Sequence, residues 1–193
     1  MSSTTRSAAI VAGIFVGGQA RRMGGEPKGL LVAPSGEAIV SRWRRMFDDL
    51  GVASVLVGKS DAYADLGIEG IEDDPPGIGP LGGLAALLAR AGGARAIAVA
   101  CDMPFVSDGL LAKLAFHPEG PPALAAKWGG VWEPLFARYD GRLPLEVARD
   151  HVRAGRRSLF GVLDALGAAE LELTDAELEE LRDWDTPSEK EIP

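Results

Sequence analysis

The chain has 193 residues, 47% hydrophobic and 25% charged, which suits one globular domain with a substantial core. No apolar run approaches the roughly 20 residues of a membrane-spanning helix, and the polar start MSSTTRSAA lacks an apolar segment with a cleavage site, so neither membrane anchoring nor secretion is expected. The net charge of −8 is unevenly placed: residues 170–193 carry ten acids against Arg182 and Lys190, whereas residues 1–47 carry seven basic residues against Glu26 and Glu37, a balance that suits a small phosphorylated ligand and not a nucleic-acid polymer.

Residues 8–16 form a short, β-branched apolar run and predict a buried parallel strand. The strand opens into the loop GGQARRMGGEPKGLL, residues 17–31, with glycine pairs Gly17-Gly18 and Gly24-Gly25, then Arg21, Arg22 and Lys28. Glycines let backbone N–H groups approach a ligand, successive N–H groups make an anion-binding concavity, and fixed cations balance a polyanion. The composition points to a nucleotide triphosphate; a solvated basic loop is the competing reading. It is not a Walker A motif, because Lys28 follows Pro27 and precedes Gly29, which disfavours a P-loop kinase or ATPase.

Residues 37–50 space Ile39, Val40, Trp43, Met46, Phe47 and Leu50 as one helical face, and Gly51 stops the helix. A strand over 54–57, a weak helical stretch over 62–66 and an edge strand over 70–74 follow. Strand, loop, helix, strand implies a parallel sheet with right-handed crossovers. Residues 73–84, DDPPGIGPLGGL, predict a tight loop and then a helix over 84–91. Pro80 suits its first turn, and the N–H groups of Leu81, Gly82 and Gly83 are expected to be exposed to a ligand. An ordinary capped loop is the alternative. Gly77, Gly79 and Gly82 also satisfy G-x-G-x-x-G, with Asp102 downstream, the pattern of a dehydrogenase. The acidic, proline-broken stretch before them is a poor central strand, and that reading leaves the first glycine loop without a role.

Residues 96–100 are the most apolar strand candidate and run into Cys101-Asp102-Met103-Pro104-Phe105. An acid at the carboxyl end of a central strand stands where open α/β sheets bind ligands, and a carboxylate suits Mg²⁺ shared with substrate phosphates. A turn-forming acid is the plainer alternative. Cys101, the single cysteine, fits a reducing, cytoplasmic setting and reads as packing beside that carboxylate. Ser107 is placed to cap a helix over 108–116. Strands over 122–127 and 135–139 flank the Gly129-Gly130 turn. Helices follow over 144–154 and 158–166, and the break between them carries Arg153, Arg156 and Arg157, either a phosphate site for an acceptor molecule or a solvated turn. His117 and His151 lack zinc spacing and read as surface or packing residues. A short piece over 171–173 precedes the capping box Thr174 to Glu177 and an acidic helix to about Arg182.

Four of these stretches together resemble a known family. Gly17-Gly18-Gln19-Ala20-Arg21-Arg22-Met23-Gly24 with Lys28, the Asp73 loop with its Gly79-Pro80-Leu81 turn, Cys101-Asp102-Met103-Pro104-Phe105, and Glu133-Pro134-Leu135 look like nucleotidyltransferase motifs. They are most similar to those of the molybdenum cofactor guanylyltransferases, over nearly the whole chain. Phe15-Val16 replaces the family's Leu-Ala, and Asp183 and Asp185 replace asparagines in its Asn-x-Asn-Thr-Pro stretch. Carboxylates accept hydrogen bonds but do not donate them, so Asp185 becomes a candidate second metal ligand, or the pair shifts acceptor or nucleotide preference.

The resemblance implies a three-layer α/β/α sandwich with a mostly parallel sheet, like the nucleotide-sugar transferases, as one nucleotidyltransferase domain over 1–193. It implies GMP transfer from GTP to molybdopterin carrying its metal, with Mg²⁺ as cofactor and molybdoenzymes or their chaperones as further partners. By this likeness Phe15, Val16, Gly17, Gly18, Lys28, Asp73, Pro80, Leu81, Gly82, Gly83 and Asp102 would bind the nucleotide. Arg22, Lys28 and Asp102 would be catalytic, and Asp102 with Asp185 would hold the metal. Arg156 and Arg157 would meet the acceptor. A related transferase using CTP or a sugar phosphate, and a GTP-binding module without turnover, are the alternatives.

Overall fold

A computed structural model describes residues 10–16, 27–58, 61–118 and 120–183. Along the chain run β1 (Ile10–Phe15), α1 (Ile39–Asp49), β2 (Ala53–Val57), β3 (Gly70–Ile71), α2 (Pro80–Ala91), β4 (Arg95–Ala100), α3 (Asp108–Ala115), β5 (Ala123–Trp128), β6 (Val131–Tyr139), α4 (Leu143–Arg153), α5 (Leu159–Ala165), β7 (Ala169–Glu170) and α6 (Asp175–Glu179). Among the described residues the strands form one seven-stranded sheet in the order β3-β2-β1-β4-β6-β5-β7. All are parallel except β6, which runs against both β4 and β5. The apolar runs of β1 and β4 lie side by side at the centre, with Phe15 opposite Ala100.

Alternation across the pleat sorts the core into two layers. On one face Ile14, Ile97, Val99 and Phe136 meet α1 and α3 through Trp43, Phe47, Leu111 and Leu114. On the other, Phe15, Ala96, Ala98 and Ala137 meet α2, α4 and α5 through Leu84, Leu87, Ala148 and Val162. The strands are small-residued on this second face, so α2 lies close: a Cβ at Gly13 would stand 2.6 Å from Leu87 Cδ2. The expected three-layer sandwich is therefore present. No helix among the described residues is long and apolar enough to cross a membrane.

Most of the expected elements form close to their predicted bounds, with five differences, the first being that α2 starts at Pro80 and not at 84. The edge strand ends at Ile71, and by Asp74 the backbone has turned away from β2 to α2, its N–H donating to Gly82 O at 3.1 Å. It pairs only with β2 at the margin of the sheet, so the G-x-G-x-x-G pattern lacks the central strand a dinucleotide site needs. β6 begins at Val131, pairing Trp132 with Lys127 and Glu133 with Ala126. The last strand is Ala169–Glu170, ahead of 171–173, and α6 stops at Glu179. The capping box forms as expected: Glu177 N–H donates to Thr174 Oγ1, and the Glu177 carboxylate accepts from Thr174 N–H at 2.8 Å. Lys113, at 2.8 Å, and then Thr174 draw the Glu177 carboxyl down to about 2, which docks α6 on α3.

Candidate active site

The parallel strands end along one edge of the sheet, and hydrogen bonding continues past them. Val16 N–H donates to Val57 O at 3.0 Å, and Cys101 N–H donates to Phe15 O at 3.2 Å. Asp102 is the next residue, so its carboxylate leaves a rigid base. It meets Lys28, with Nζ 2.9 Å from Oδ2 and the two side chains 26% and 24% exposed. Lys28 is not on an open loop: it starts a 3-10 turn, Lys28–Leu30, whose Gly29 N–H donates to the Tyr63 hydroxyl at 3.2 Å. Behind Asp102, α1 holds the strand end on both sides. Trp43 Nε1 donates to Ala100 O at 3.1 Å, and the Arg42 guanidinium donates to Val106 O. Cys101 is buried, and burial, then the Asp102 charge, push its thiol up to about 12. It is a packing residue, as expected, not a nucleophile. Gly17, Gly18, Arg22 and Asp185 lie outside the described residues, as do Arg21 and the second glycine pair.

Asp73 and the start of α2 come together beside β1. No side chain fits there. A Cβ at Gly82 would stand 2.5 Å from Pro75 O, and one at Gly83 would stand 2.7 Å from Val57, 2.9 Å from Phe15 and 3.2 Å from Asp73 Oδ1. Burial raises the Asp73 carboxyl above its ordinary range. One expectation is corrected: Leu81, Gly82 and Gly83 are buried, and Gly82 N–H already donates to Gly79 O at 2.9 Å. The tight packing that demands glycine at 82 and 83 also leaves these residues little exposed surface. The rim left to a ligand is the exposed Gly79-Pro80 edge.

On the other side of Asp102 lies a cavity of about 460 Å³. Trp128 comes from the end of β5, Glu133 and Leu135 from the start of β6, and Asp183 from the C-terminal segment, with Met103 closing the wall. Burial, then the charges of Asp183 and Asp102, raise the Glu133 carboxyl. Arg182 shares the cavity and lies over the Phe105 ring at 4.6 Å. Sequence reasoning did not place Glu133 in the site; the available signal was its position in Glu133-Pro134-Leu135. Trp128 and Tyr63 carried none. Arg156 and Arg157 are exposed in the α4–α5 connection and do not line this cavity. A cavity of about 230 Å³ between the end of α2 and the start of α4, with Arg142 and Arg149, lies far from the strands' carboxyl ends.

Mg²⁺ commonly takes one or two carboxylates and completes its shell with phosphates and waters. Among the described residues no group of three or more His, Cys, Asp or Glu is placed to hold an ion alone. Asp102, a hard oxygen donor at a partly open strand end, fits an ion that arrives with phosphates.

Residues 12–169 match the family model described as the MobA-like NTP transferase domain. A molybdenum cofactor guanylyltransferase of Pseudomonas putida is 36% identical over 152 residues, covering 76% of this chain and 78% of that protein. One of Pseudomonas aeruginosa is 34% identical over 168 residues, covering 83% and 82%. Among solved structures, molybdopterin-guanine dinucleotide biosynthesis protein A of Archaeoglobus fulgidus matches with a TM-score of 0.74 at 25% identity, covering 93% of this chain and 94% of that one. 2-C-methyl-D-erythritol 4-phosphate cytidylyltransferase of Thermus thermophilus shares the fold, with a TM-score of 0.63 at 17% identity and 94% coverage of each chain. The family model spans both halves of the site, from β1 through Lys28, Asp73 and Asp102 to the β5–β6 pair, and the chain belongs to the MobA-like NTP transferase family.

Proposed function

We propose that the protein transfers the guanylyl group of GTP to the terminal phosphate of molybdopterin carrying its metal, releasing pyrophosphate. The observation that carries this reading is the Lys28–Asp102 pair, 2.9 Å apart between the Asp73/α2 corner and the acidic cavity. The names of the relatives supply the substrates. GTP lies on the β1–β2 side, its nucleoside along Asp73 and the Gly79-Pro80 edge above Phe15 and Val16, its phosphates toward Lys28 and the glycine loop with Gly17, Gly18 and Arg22. The acceptor enters from the cavity side, and Arg156 and Arg157 are the cations we assign to its phosphate.

An acceptor phosphate oxygen bonds to the α-phosphorus as the bond from that phosphorus to the bridging oxygen breaks, and pyrophosphate leaves with the bond electrons. No covalent enzyme intermediate is needed. Lys28 neutralises phosphate charge, Asp102 would hold Mg²⁺, and the sheet fixes both side chains on a rigid base. Mg²⁺, when bound, would neutralise charge on the reacting phosphates. The setting is the cytoplasm, with molybdoenzymes or their chaperones taking the product. The test is a panel of GTP, ATP and CTP scored for pyrophosphate release with and without molybdopterin. Release from GTP that requires the acceptor is expected. Equal use of CTP overturns the base assignment, and tight GTP binding without any release overturns transfer.

A further inference from the structure

We infer that Tyr63 is a positioning residue for the transfer reaction, its buried hydroxyl holding the Lys28–Gly29 peptide so that the Lys28 ammonium points into the site. The inference rests on the nucleotide role proposed for Lys28.

Tyr63 lies in a 3-10 turn, Asp61–Leu66, between β2 and β3, and is 3% exposed. Its hydroxyl accepts the buried Gly29 N–H at 3.2 Å, across 34 residues of sequence. Gly29 has no room for a side chain: a Cβ would stand 2.4 Å from Val40 Cγ2 and 3.0 Å from the Tyr63 oxygen. The backbone is therefore pinned between α1 and the phenol. A peptide unit is planar, so holding the Gly29 N–H fixes the Lys28 carbonyl as well. That carbonyl also accepts Leu31 N–H at 3.1 Å. With the peptide held from both sides, the direction in which the Lys28 side chain leaves the backbone is set, and it leads to Asp102 at 2.9 Å.

The volume of the ring does not explain the hydroxyl, since phenylalanine would fill the same space. The hydroxyl satisfies a buried backbone donor that lies directly after the reacting lysine. Burial, and then the neighbouring Cys101, push the phenol up to about 12, so it remains a neutral hydroxyl over the working pH range.

The test is a double-mutant cycle of Tyr63→Phe, Lys28→Ala and the pair, read by GTP affinity in the presence of Mg²⁺, with thermal unfolding alongside. Tyr63→Phe alone should weaken GTP binding about three- to tenfold. In the Lys28→Ala background the same change should alter it by less than about twofold, because the group being aimed is gone. Any loss of thermal stability should be the same in both backgrounds. A weakened Lys28→Ala protein with unchanged Tyr63→Phe, or an equal loss from Tyr63→Phe in both backgrounds, overturns the positioning role alone. Unchanged GTP binding by Lys28→Ala overturns the reading of Lys28, and the positioning role with it. If Tyr63→Phe does not fold, exchange of the Gly29 amide in the wild type decides: protection matching global unfolding supports the clamp, and exchange like that of a surface loop overturns it.

Discussion

Lys28 competes with the metal that the site is proposed to hold. At 2.9 Å its ammonium occupies one oxygen of Asp102, so a divalent ion on that carboxylate would meet a like charge beside it, and an ammonium pushed aside would be available to the triphosphate. Lys28→Met keeps the length and apolar stem and removes the charge. Two unit charges 2.9 Å apart at an effective dielectric near 20 attract by about 6 kcal/mol before solvation. Both side chains are about a quarter exposed, so hydration cancels most of this. The net value lies between the ~1 kcal/mol of a surface pair and the ~3 kcal/mol of a broken buried one.

Taking roughly 1–2 kcal/mol, nucleotide-free Lys28→Met should bind Mn²⁺ about 5- to 30-fold more tightly than wild type. GTP in metal-free buffer should bind about 10- to 100-fold more weakly, since a charge-assisted contact is lost. The two effects have opposite signs, which no general damage to the fold produces. Paramagnetic resonance of free Mn²⁺ gives the first quantity and titration calorimetry the second. Equal or weaker Mn²⁺ binding by Lys28→Met would refute the competition.

Asp102→Asn should reduce pyrophosphate release by at least about a hundredfold, while metal-free GTP affinity stays within a few-fold and denaturant stability within about 2 kcal/mol; turnover at the wild-type rate would remove the metal role. Glu133→Gln removes one of three carboxylates from the acceptor-side cavity, so the KM for molybdopterin should change while GTP affinity without acceptor does not; a change confined to GTP would place the cavity on the wrong substrate. His151 is buried, its Nδ1 lacks a hydrogen-bond partner among the described residues, and Cε1 would lie 3.0 Å from a Cβ at Gly161. Burial, then the Arg156 charge, lower its pKa against an opposing pull from Asp150. A lowered histidine pKa means that the unfolded chain takes up the proton first. Its stabilising effect is therefore complete above about pH 6.5 and is lost as pH falls toward the lower folded value. Thermal unfolding from pH 7.5 to 5 should show that loss in the wild type and a smaller one in His151→Phe.

The sheet and its strand-end acid were legible because apolar runs and glycine stops are local signals. Ala96–Ala100 is apolar on both faces, as a central strand must be, and it led directly to Asp102. Pro80 marked the start of α2 for an equally local reason, its missing N–H. The inward turn of Gly82 and Gly83 was not legible, since it depends on Pro75, Val57 and Phe15 closing around them. Tyr63 was hidden more completely: a tyrosine in a short 3-10 turn has no periodicity, and its partner is a backbone N–H across a loop. Lys28 was found by composition, but its pairing with Asp102 spans 74 residues and appears once the sheet closes.

The direction of one strand accounts for the part of the site that motif reading left empty. A parallel strand presents its carboxyl end to the ligand edge, whereas an antiparallel neighbour presents its amino end. β6 is that neighbour, hydrogen-bonded to β4 with Ala98 opposite Ala137. Its first residues therefore stand beside Asp102, and so does the end of β5, which precedes it in one hairpin. Trp128 and Glu133 reach the cavity from the two arms of that hairpin. A crossover helix at this point would have placed the next strand's amino end at the far side of the sheet. Reversing β6 instead gives Asp102 two unlike flanks, a glycine-rich, tightly packed one toward α2 and an open, carboxylate-lined one toward the hairpin. Transfer between two phosphates requires donor and acceptor to meet at one phosphorus from opposite sides. On the function proposed above, a central acid with a different wall on each side would let both be bound at once.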